Sequence, residues 1–445
     1  MKPKKILLVP NVDNPYDIRM LHALGEELKF FGHEYIVARS REFEYVPIID
    51  EAKIDIVLAV NKARPRDRDV RSNVRYVSWQ QDVRLDSSKE INLNSNDILY
   101  TLGTPEQLGL LIESSNFLVK PFYTGVNETN RACKSYDLCD FSFCAGLPLD
   151  LASAPPSIHI PILSDCALYI IIQKLMLASK KRNFFGLLYD GNLIHEMKLI
   201  TEQVYQPVQG SLDIHEIEKA LRSGTSQFYE NAILADRLIM LMLRLIPERC
   251  MRGLLDENSI RKLNEYARVS SENRSGHVST LINWMSHSYP RIYERRLLVQ
   301  AIRGVSEDIH IYGNCMDRHD FSAPYYKGVL DSEQSLADVY ANSKVSLGNN
   351  THGLGLHSRN LGVMAAGGFL LHHRSSKGYA NSLESNFEEG MHYMGFGDLN
   401  ELKDVARTLL GDSEKRLAIG MLAQKKVFQQ HTWRHRASEL LEDLC

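Results

Sequence analysis

No apolar run in this 445-residue chain approaches the roughly 18 residues that a membrane-spanning helix needs. The richest stretches, Cys166 to Ala178 and Ala232 to Ile246, are broken by Gln173 and Lys174, and by Asp236, Arg237 and Arg244. The apolar run Ile6-Leu7-Leu8-Val9 is too short for a signal peptide and stops at Pro10, so it reads as a first strand. Excess positive charge is also lacking: the formal net charge is -3, which offers no basic field to nucleic acid. The seven cysteines are odd in number and show no CxxC spacing, which argues against a disulfide framework or a zinc site. These absences point to a cytoplasmic protein with reduced thiols. No repeat or low-complexity tract is evident.

What is present is ordinary globular material. Hydrophobic residues make up 44% and charged residues 24%, and at roughly 150 residues per domain the length suggests two or three domains. Short apolar runs at Lys5–Pro10, Glu34–Ala38, Asp55–Val60, Arg75–Trp79, Ile98–Leu102 and Phe117–Pro121 are separated in several places by helical segments. That alternation predicts a parallel sheet with βαβ crossovers over residues 1–130. The first helix is expected over Ile18–Phe31, where Met20, Leu21, Leu24, Leu28 and Phe31 share one face.

Residues 131–164 read as a linker carrying the first strand, Asp140–Cys144, of a second alternating domain. Residues 165–288 are rich in Leu, Ile and Met at helical spacing and predict a helical insertion. The alternation resumes over 289–430 with a helix at Ile292–Ile302, a strand at Ile309–Tyr312, a helix at Ser332–Asn342 and a strand at Val345–Leu347. Asp331, with Gln334 three residues on, is the expected helix start. In the closing segment, 431–445, Trp433, Ala437, Leu440, Leu441 and Leu444 fall on one helical face that needs a partner.

The densest chemical signal is Ser346-Leu-Gly-Asn-Asn-Thr-His-Gly-Leu-Gly-Leu-His-Ser-Arg-Asn-Leu-Gly-Val-Met-Ala-Ala-Gly-Gly368, which leads into Phe369-Leu-Leu371. A strand, a turn containing Gly353 and Gly355, and a helix starting near Ser358 are expected. Glycines allow close backbone approach, and the unpaired N–H groups and dipole at a helix start favour phosphate. Arg359 in the first turn can add a bidentate contact. The spacing is neither a Walker loop nor a GxGxxG fingerprint. Taken alone, it fits equally well with glycines that only make tight turns and an arginine on a solvated face.

The string Arg359-x-x-x-x-x-Ala-Ala-Gly-Gly-x-Leu-Leu371, then Phe387-Glu-Glu-Gly390, Asp398-Leu-x-Glu-Leu402 and His431-Thr-Trp-x-x-Arg436, resembles the spore-maturation CgeB-like family. These are glycosyltransferases of the group 1 type. Ile311-Tyr-Gly-Asn314 and Tyr326-Lys-Gly-Val329 fit as strand-end and base-pocket segments, and Val77-Ser-Trp79 with Asp82 fits more loosely. The resemblance implies an α/β protein of GT-B fold. Two Rossmann-like, doubly wound domains face a cleft, the N-terminal one for acceptor and the C-terminal one for donor, and the helix 431–445 returns to the first domain. The helical insertion lies in or before the second domain.

The activity so implied is transfer of a sugar from a nucleotide sugar to a glycan, glycolipid or protein acceptor in bacterial surface glycan synthesis. No cofactor or metal is called for, contact with a membrane surface is left open, and the oligomeric state is not specified. The expected donor-binding residues are Gly313, Lys327, Gly328, Val329, Asn349, Asn350, His352, Gly353, Gly355, Ser358 and Arg359, with Lys377 as a further candidate. Related enzymes carry a ribose-gripping Glu where this chain has Gly362, and another where it has Leu354. Asn349, Asn350, His352 or another group must then take over that grip, or the donor differs. Without the Glu, a catalytically inactive assembly module of the same fold is the alternative, and a nucleotide-sugar epimerase is another.

Two carboxylates are candidates for general base: Asp17 in the loop Asn11–Arg19, where open α/β sheets place ligands, and Asp82 after the strand ending in Trp79. Each is more readily a helix cap or turn residue than a catalytic one. His372-His373 reads as a strand end that could meet the ligand or serve structure. The cluster Lys62, Arg64, Arg66, Arg68 and Arg71 is interleaved with Asp67 and Asp69, which suits a solvated loop.

Overall fold

The computed structural model describes residues 2–39, 45–65, 73–82, 91–103, 116–128, 138–147, 289–349, 356–374 and 382–444, together with residues 105, 108, 110 and 112. The predicted helical insertion, 165–288, lies outside the described residues.

Among the described residues the strands form two sheets of six, and every pairing is parallel. The first is β1 (Lys5–Val9), β2 (Glu34–Val37), β3 (Ile56–Val60), β4 (Arg75–Gln80), β5 (Ile98–Thr101) and β6 (Leu118–Pro121), in the order β2-β1-β3-β4-β5-β6. The second is β7 (Cys139–Cys144), β8 (Ile309–Tyr312), β9 (Tyr326–Gly328), β10 (Ser343–Gly348), β11 (Leu370–His373) and β12 (Met394–Phe396), in the order β12-β11-β10-β7-β8-β9. β1, β3 and β5 lie inside the first sheet, and both faces of each are covered. That is why they read in sequence as continuous apolar runs rather than alternating ones.

Helices cover both faces of each sheet. On the first, α1 (Pro15–Phe30) packs Met20, Leu21, Leu24 and Leu28 against one face, while α2 (Val46–Glu51) sets Ile49 against the other. On the second, α3 (Tyr289–Arg303) and α7 (Leu399–Gly411) share one core. Opposite them, α4 (Glu333–Asn342) and α5 (Ser358–Ala365) share another with Ala423 and Val427 of α8 (Ser413–Gln430). A short helix, α6 (Leu383–Asn386), precedes β12. Three helix starts differ from expectation, α3 among them, since it begins at Tyr289 rather than Ile292. α1 begins at Pro15 because Asn14 caps it by accepting from the Asp17 N–H, with proline at the tolerated first position. The cap of α4 is Ser332, whose hydroxyl accepts from the Ser335 N–H at 3.0 Å, and not Asp331.

The last helix, α9 (Trp433–Asp443), inserts Trp433, Ala437, Leu440 and Leu441 into the core of the first sheet beside α1. Each large apolar side chain so buried contributes about 1.5–3 kcal/mol. The Asp443 carboxylate ties the end of α9 down by accepting from the Tyr100 hydroxyl at 2.7 Å and Lys120 at 3.0 Å. Where the chain crosses between the domains, Val126 pairs with Thr432. Gly125 lies so close to α9 that a Cβ there would stand 2.6 Å from the Trp433 nitrogen. Two doubly wound domains, joined at this crossing and by the returning helix, make a GT-B architecture.

Candidate active site

In each sheet, strand order reverses at one place, and a ligand crevice opens there at the carboxyl ends of the strands. In the first sheet the reversal falls between β1 and β3, and in the second between β7 and β10. The two crevices face one another across a single cleft of about 660 Å³.

Two arginines stand on the C-terminal wall of the cleft, which also carries Glu333. His357 caps α5 by accepting from the Arg359 N–H at 3.1 Å. The Arg359 guanidinium reaches back to donate to the Cys144 carbonyl at 3.3 Å, at the end of β7. From the opposite face of the sheet, the buried Arg295 of α3 donates to the Gly146 carbonyl. Two guanidinium groups therefore brace the same strand end, and both line the cleft beside the first turn of α5. Buried Tyr340 closes the space behind them, its hydroxyl against the Cys144 thiol, which burial pushes up to about 12. The thiol is therefore neutral and inert at physiological pH.

The N-terminal wall carries carboxylates and carboxamides. Asp17 sits in the first turn of α1, largely buried, and accepts from the Val12 N–H at 3.1 Å. Burial raises its pKa, the nearby charge of Asp82 adds to this, and Val12, Asn14 and Lys62 pull the other way. Asp82 is exposed and accepts from the Asn61 amide at 2.7 Å and the Asn11 amide at 3.4 Å. Asn61 adopts a left-handed φ of 54°, and its side-chain oxygen accepts from the Gln81 N–H at 2.7 Å, which fixes the β3 and β4 ends to each other. Lys62 donates to the Pro10 and Asn11 carbonyls at 2.6 and 2.7 Å and so holds the β1 end in place.

Of the residues singled out in the sequence, Asp17, Asp82, Gly313, Val329, Asn349, Ser358 and Arg359 all line this cleft, as does Gly362. Gly313 has a φ of 135°, and its N–H donates to the Gly328 carbonyl at 3.0 Å. Gly328 and the exposed Lys327 are not among the lining residues. Asn350, His352, Gly353, Gly355 and Lys377 lie outside the described residues. β11 runs through His372 and His373, which are buried in it. The His372 Nδ1–H donates to the His373 carbonyl at 2.6 Å, and burial lowers the two rings to about 4 and about 3. They are neutral structural groups, tied to α5 by the Asn360 amide at 3.2 Å from His372 Nε2. Arg64 is likewise no part of a solvated loop: it is buried in an ion pair with Asp97 at 2.8 Å.

Sequence reasoning missed Arg295, Tyr16 and Thr124, all of which line the cleft. An arginine in an amphipathic helix ordinarily marks the solvated face, so Arg295 carried no signal of its own. Thr124 has a buried hydroxyl with no hydrogen-bond partner, in the crossing between the domains. Among the described residues no group of three or more His, Cys, Asp or Glu side chains could hold a metal ion, and no helix is long and apolar enough to cross a membrane.

No curated protein matches the chain significantly. Among solved structures, the Anabaena HepE protein in complex with UDP-glucose is similar over 99% of both chains, at 9% identity and a TM-score of 0.45. The sucrose-phosphate synthase of Thermosynechococcus elongatus is similar over 99% of this chain and 98% of its own, at 10% identity and a TM-score of 0.43. A glycosyltransferase from Rickettsia africae ESF-5 is similar over 100% of this chain and 98% of its own, at 11% identity and a TM-score of 0.40. Residues 291–442, which include Arg295 and Arg359, match the family model described as glycosyl transferase-like.

Proposed function

We propose that the chain is a nucleotide-sugar-dependent glycosyltransferase of the CgeB-like kind, acting in the cytoplasm on a glycan, glycolipid or protein acceptor destined for a bacterial surface. The observation that carries this reading is the facing of two switch-point crevices across one cleft, with Arg295 and Arg359 at the β7 end on one side and Asp17 and Asp82 on the other. The match of residues 291–442 to a glycosyl transferase-like model supports it.

In this reading the donor diphosphate lies against the first turn of α5, held by Arg359 and Arg295. Val329 and the Gly313 turn contact the base. The acceptor oxygen attacks the anomeric carbon, the bond from that carbon to the phosphate oxygen breaks, and the nucleoside diphosphate leaves with the electron pair. Fixed cations and the α5 dipole stabilise the charge that develops on the leaving oxygen. If configuration inverts, Asp17 takes the acceptor proton. Its raised pKa makes it a better base than an ordinary aspartate. Asp82 orients the acceptor hydroxyls.

Calorimetry against UDP, GDP, TDP and CMP tests the reading, followed by incubation of radiolabelled nucleotide sugars with lysate acceptors. Binding of one diphosphate and label transfer are expected. No binding across the panel would overturn it. Gly362, which leaves the usual carboxylate position empty, favours one rival, an inactive module of the same fold. Diphosphate binding without transfer or donor hydrolysis would establish that rival.

A further inference from the structure

Tyr16 stands in the first turn of α1, in the N-terminal domain, but its hydroxyl faces Ser358, the first residue of α5, in the other domain. Both residues line the cleft, and the Arg359 charge acts on the phenol. The contact is not isolated. One turn along α1, Arg19 donates to the Asp331 carbonyl at 3.2 Å, just ahead of the α4 cap. From the domain crossing, the Asn127 amide donates to the Glu333 carboxylate at 3.0 Å. All three contacts span the cleft and end at the amino-terminal ends of α4 and α5. The direction of the Tyr16 side chain is set locally, because the Asn14 cap and Pro15 fix the first turn of α1.

We infer that Tyr16 is a donor-binding residue supplied by the acceptor domain: its hydroxyl donates to a phosphate oxygen of the nucleoside diphosphate at the α5 start, so that a bound donor holds the two domains together. This rests on the glycosyltransferase reading above. The chemistry suits the place. A phenol beside a serine hydroxyl, a helix start and a guanidinium meets an anion as a neutral donor, and an O–H to phosphate bond is short and charge-assisted. Burial raises the phenol's pKa, so it keeps its proton at neutral pH. Tyr16 lines the cleft together with Ser358 and Arg359, so a ligand in the cleft meets this corner without unfolding of the turn. Within the chain the Ser358 hydroxyl is the phenol's partner; a phosphate oxygen replaces it.

Tyr16→Phe removes the hydroxyl and keeps the ring. With wild type and variant titrated by the nucleoside diphosphate that wild type binds best, the variant's Kd is expected to rise about tenfold or more. The donor KM should rise with it. Arg19→Ala removes a contact across the cleft without touching the phosphate position, and its Kd should stay within about twofold. A Tyr16→Phe Kd within twofold of wild type overturns the proposal while leaving the glycosyltransferase reading intact. An Arg19→Ala Kd raised as far as that of Tyr16→Phe also overturns it, since domain positioning alone would then account for the effect. If wild type binds no diphosphate, the underlying reading has failed and the proposal with it.

Discussion

Replacing Arg359 by Ala isolates the diphosphate grip from the fold, because the geometry separates what the side chain does for each. Within the chain its guanidinium donates to the Cys144 carbonyl at 3.3 Å, a long bond to a neutral acceptor. Losing such a bond costs about 0.5–1 kcal/mol. Toward a phosphate the same group offers two parallel N–H donors beside the α5 start, and a hydrogen bond to a charged partner contributes about 1.5–3 kcal/mol. The expected result is a Kd for nucleoside diphosphate weakened about 10- to 150-fold, with the thermal midpoint of the ligand-free chain nearly unchanged. Arg359→Lys keeps the charge and loses the fork, so it should fall between the two. Calorimetry gives the affinities, and thermal unfolding with and without the diphosphate gives the stability. An Arg359→Ala variant with wild-type midpoint and a Kd within threefold would refute the reasoning and move the phosphate away from α5.

Asp17→Asn should lower transfer by roughly 10²- to 10⁴-fold while leaving diphosphate affinity intact, if Asp17 is the base. The same variant tests the linkage. The folded pKa of Asp17 is raised by burial, so its contribution to stability is complete below the unfolded value of about 3.9 and is lost as pH rises through the folded value. The variant should therefore unfold later than wild type near neutrality, and the difference should vanish in acid; a constant difference across pH would contradict the shift. Asp97→Ala strands the buried Arg64 guanidinium and removes the acceptor of the Tyr76 N–H, so urea unfolding should register a loss of about 3–5 kcal/mol, with diphosphate binding to the remaining folded protein unchanged. Gly125→Ala would drive a Cβ into the Trp433 backbone at 2.6 Å, so a destabilisation of about 1–3 kcal/mol and reduced transfer are expected from thermal scans and activity assays.

The parts of the fold that could be read from the sequence are those fixed by burial on both faces. Ile6-Leu7-Leu8-Val9 and Ile309–Tyr312 announce their strands because a central parallel strand has no solvent side to mark. Helix starts were read less well, since a cap is decided by one side-chain bond. Asn14-Pro15-Tyr16-Asp17 has the composition of a loop, yet the Asn14 carboxamide makes it the first turn of α1. Asp17 and Arg359 were legible as cleft residues because they follow strands at the places where open sheets bind ligands. Arg295 was not. Its place in the cleft comes with its contact to Gly146, 149 positions away in the chain, and no local pattern encodes that contact. Tyr16 carries no such signal either, because what sets it apart is a hydroxyl that faces the other domain.

Gly362 looked in sequence like a simple loss of the ribose-gripping carboxylate, and the packing gives the substitution a physical meaning. Most glycines around α5 are required by crowding. A Cβ at Gly348 would stand 2.5 Å from the His372 ring, and one at Gly420 2.5 Å from the Gly367 carbonyl. At Gly362 it would meet only the Tyr340 ring, at 3.4 Å, which is ordinary contact. Glycine inside a helix costs roughly 0.5–1 kcal/mol relative to alanine, so neither packing nor helix stability asks for it there. What it does is leave the cleft wall open one turn beyond Arg359. Residues three apart on a helix are neighbours, so a glutamate at this position would sit beside the guanidinium and compete with a phosphate for it. With glycine in its place, no carboxylate from that position draws on the cation.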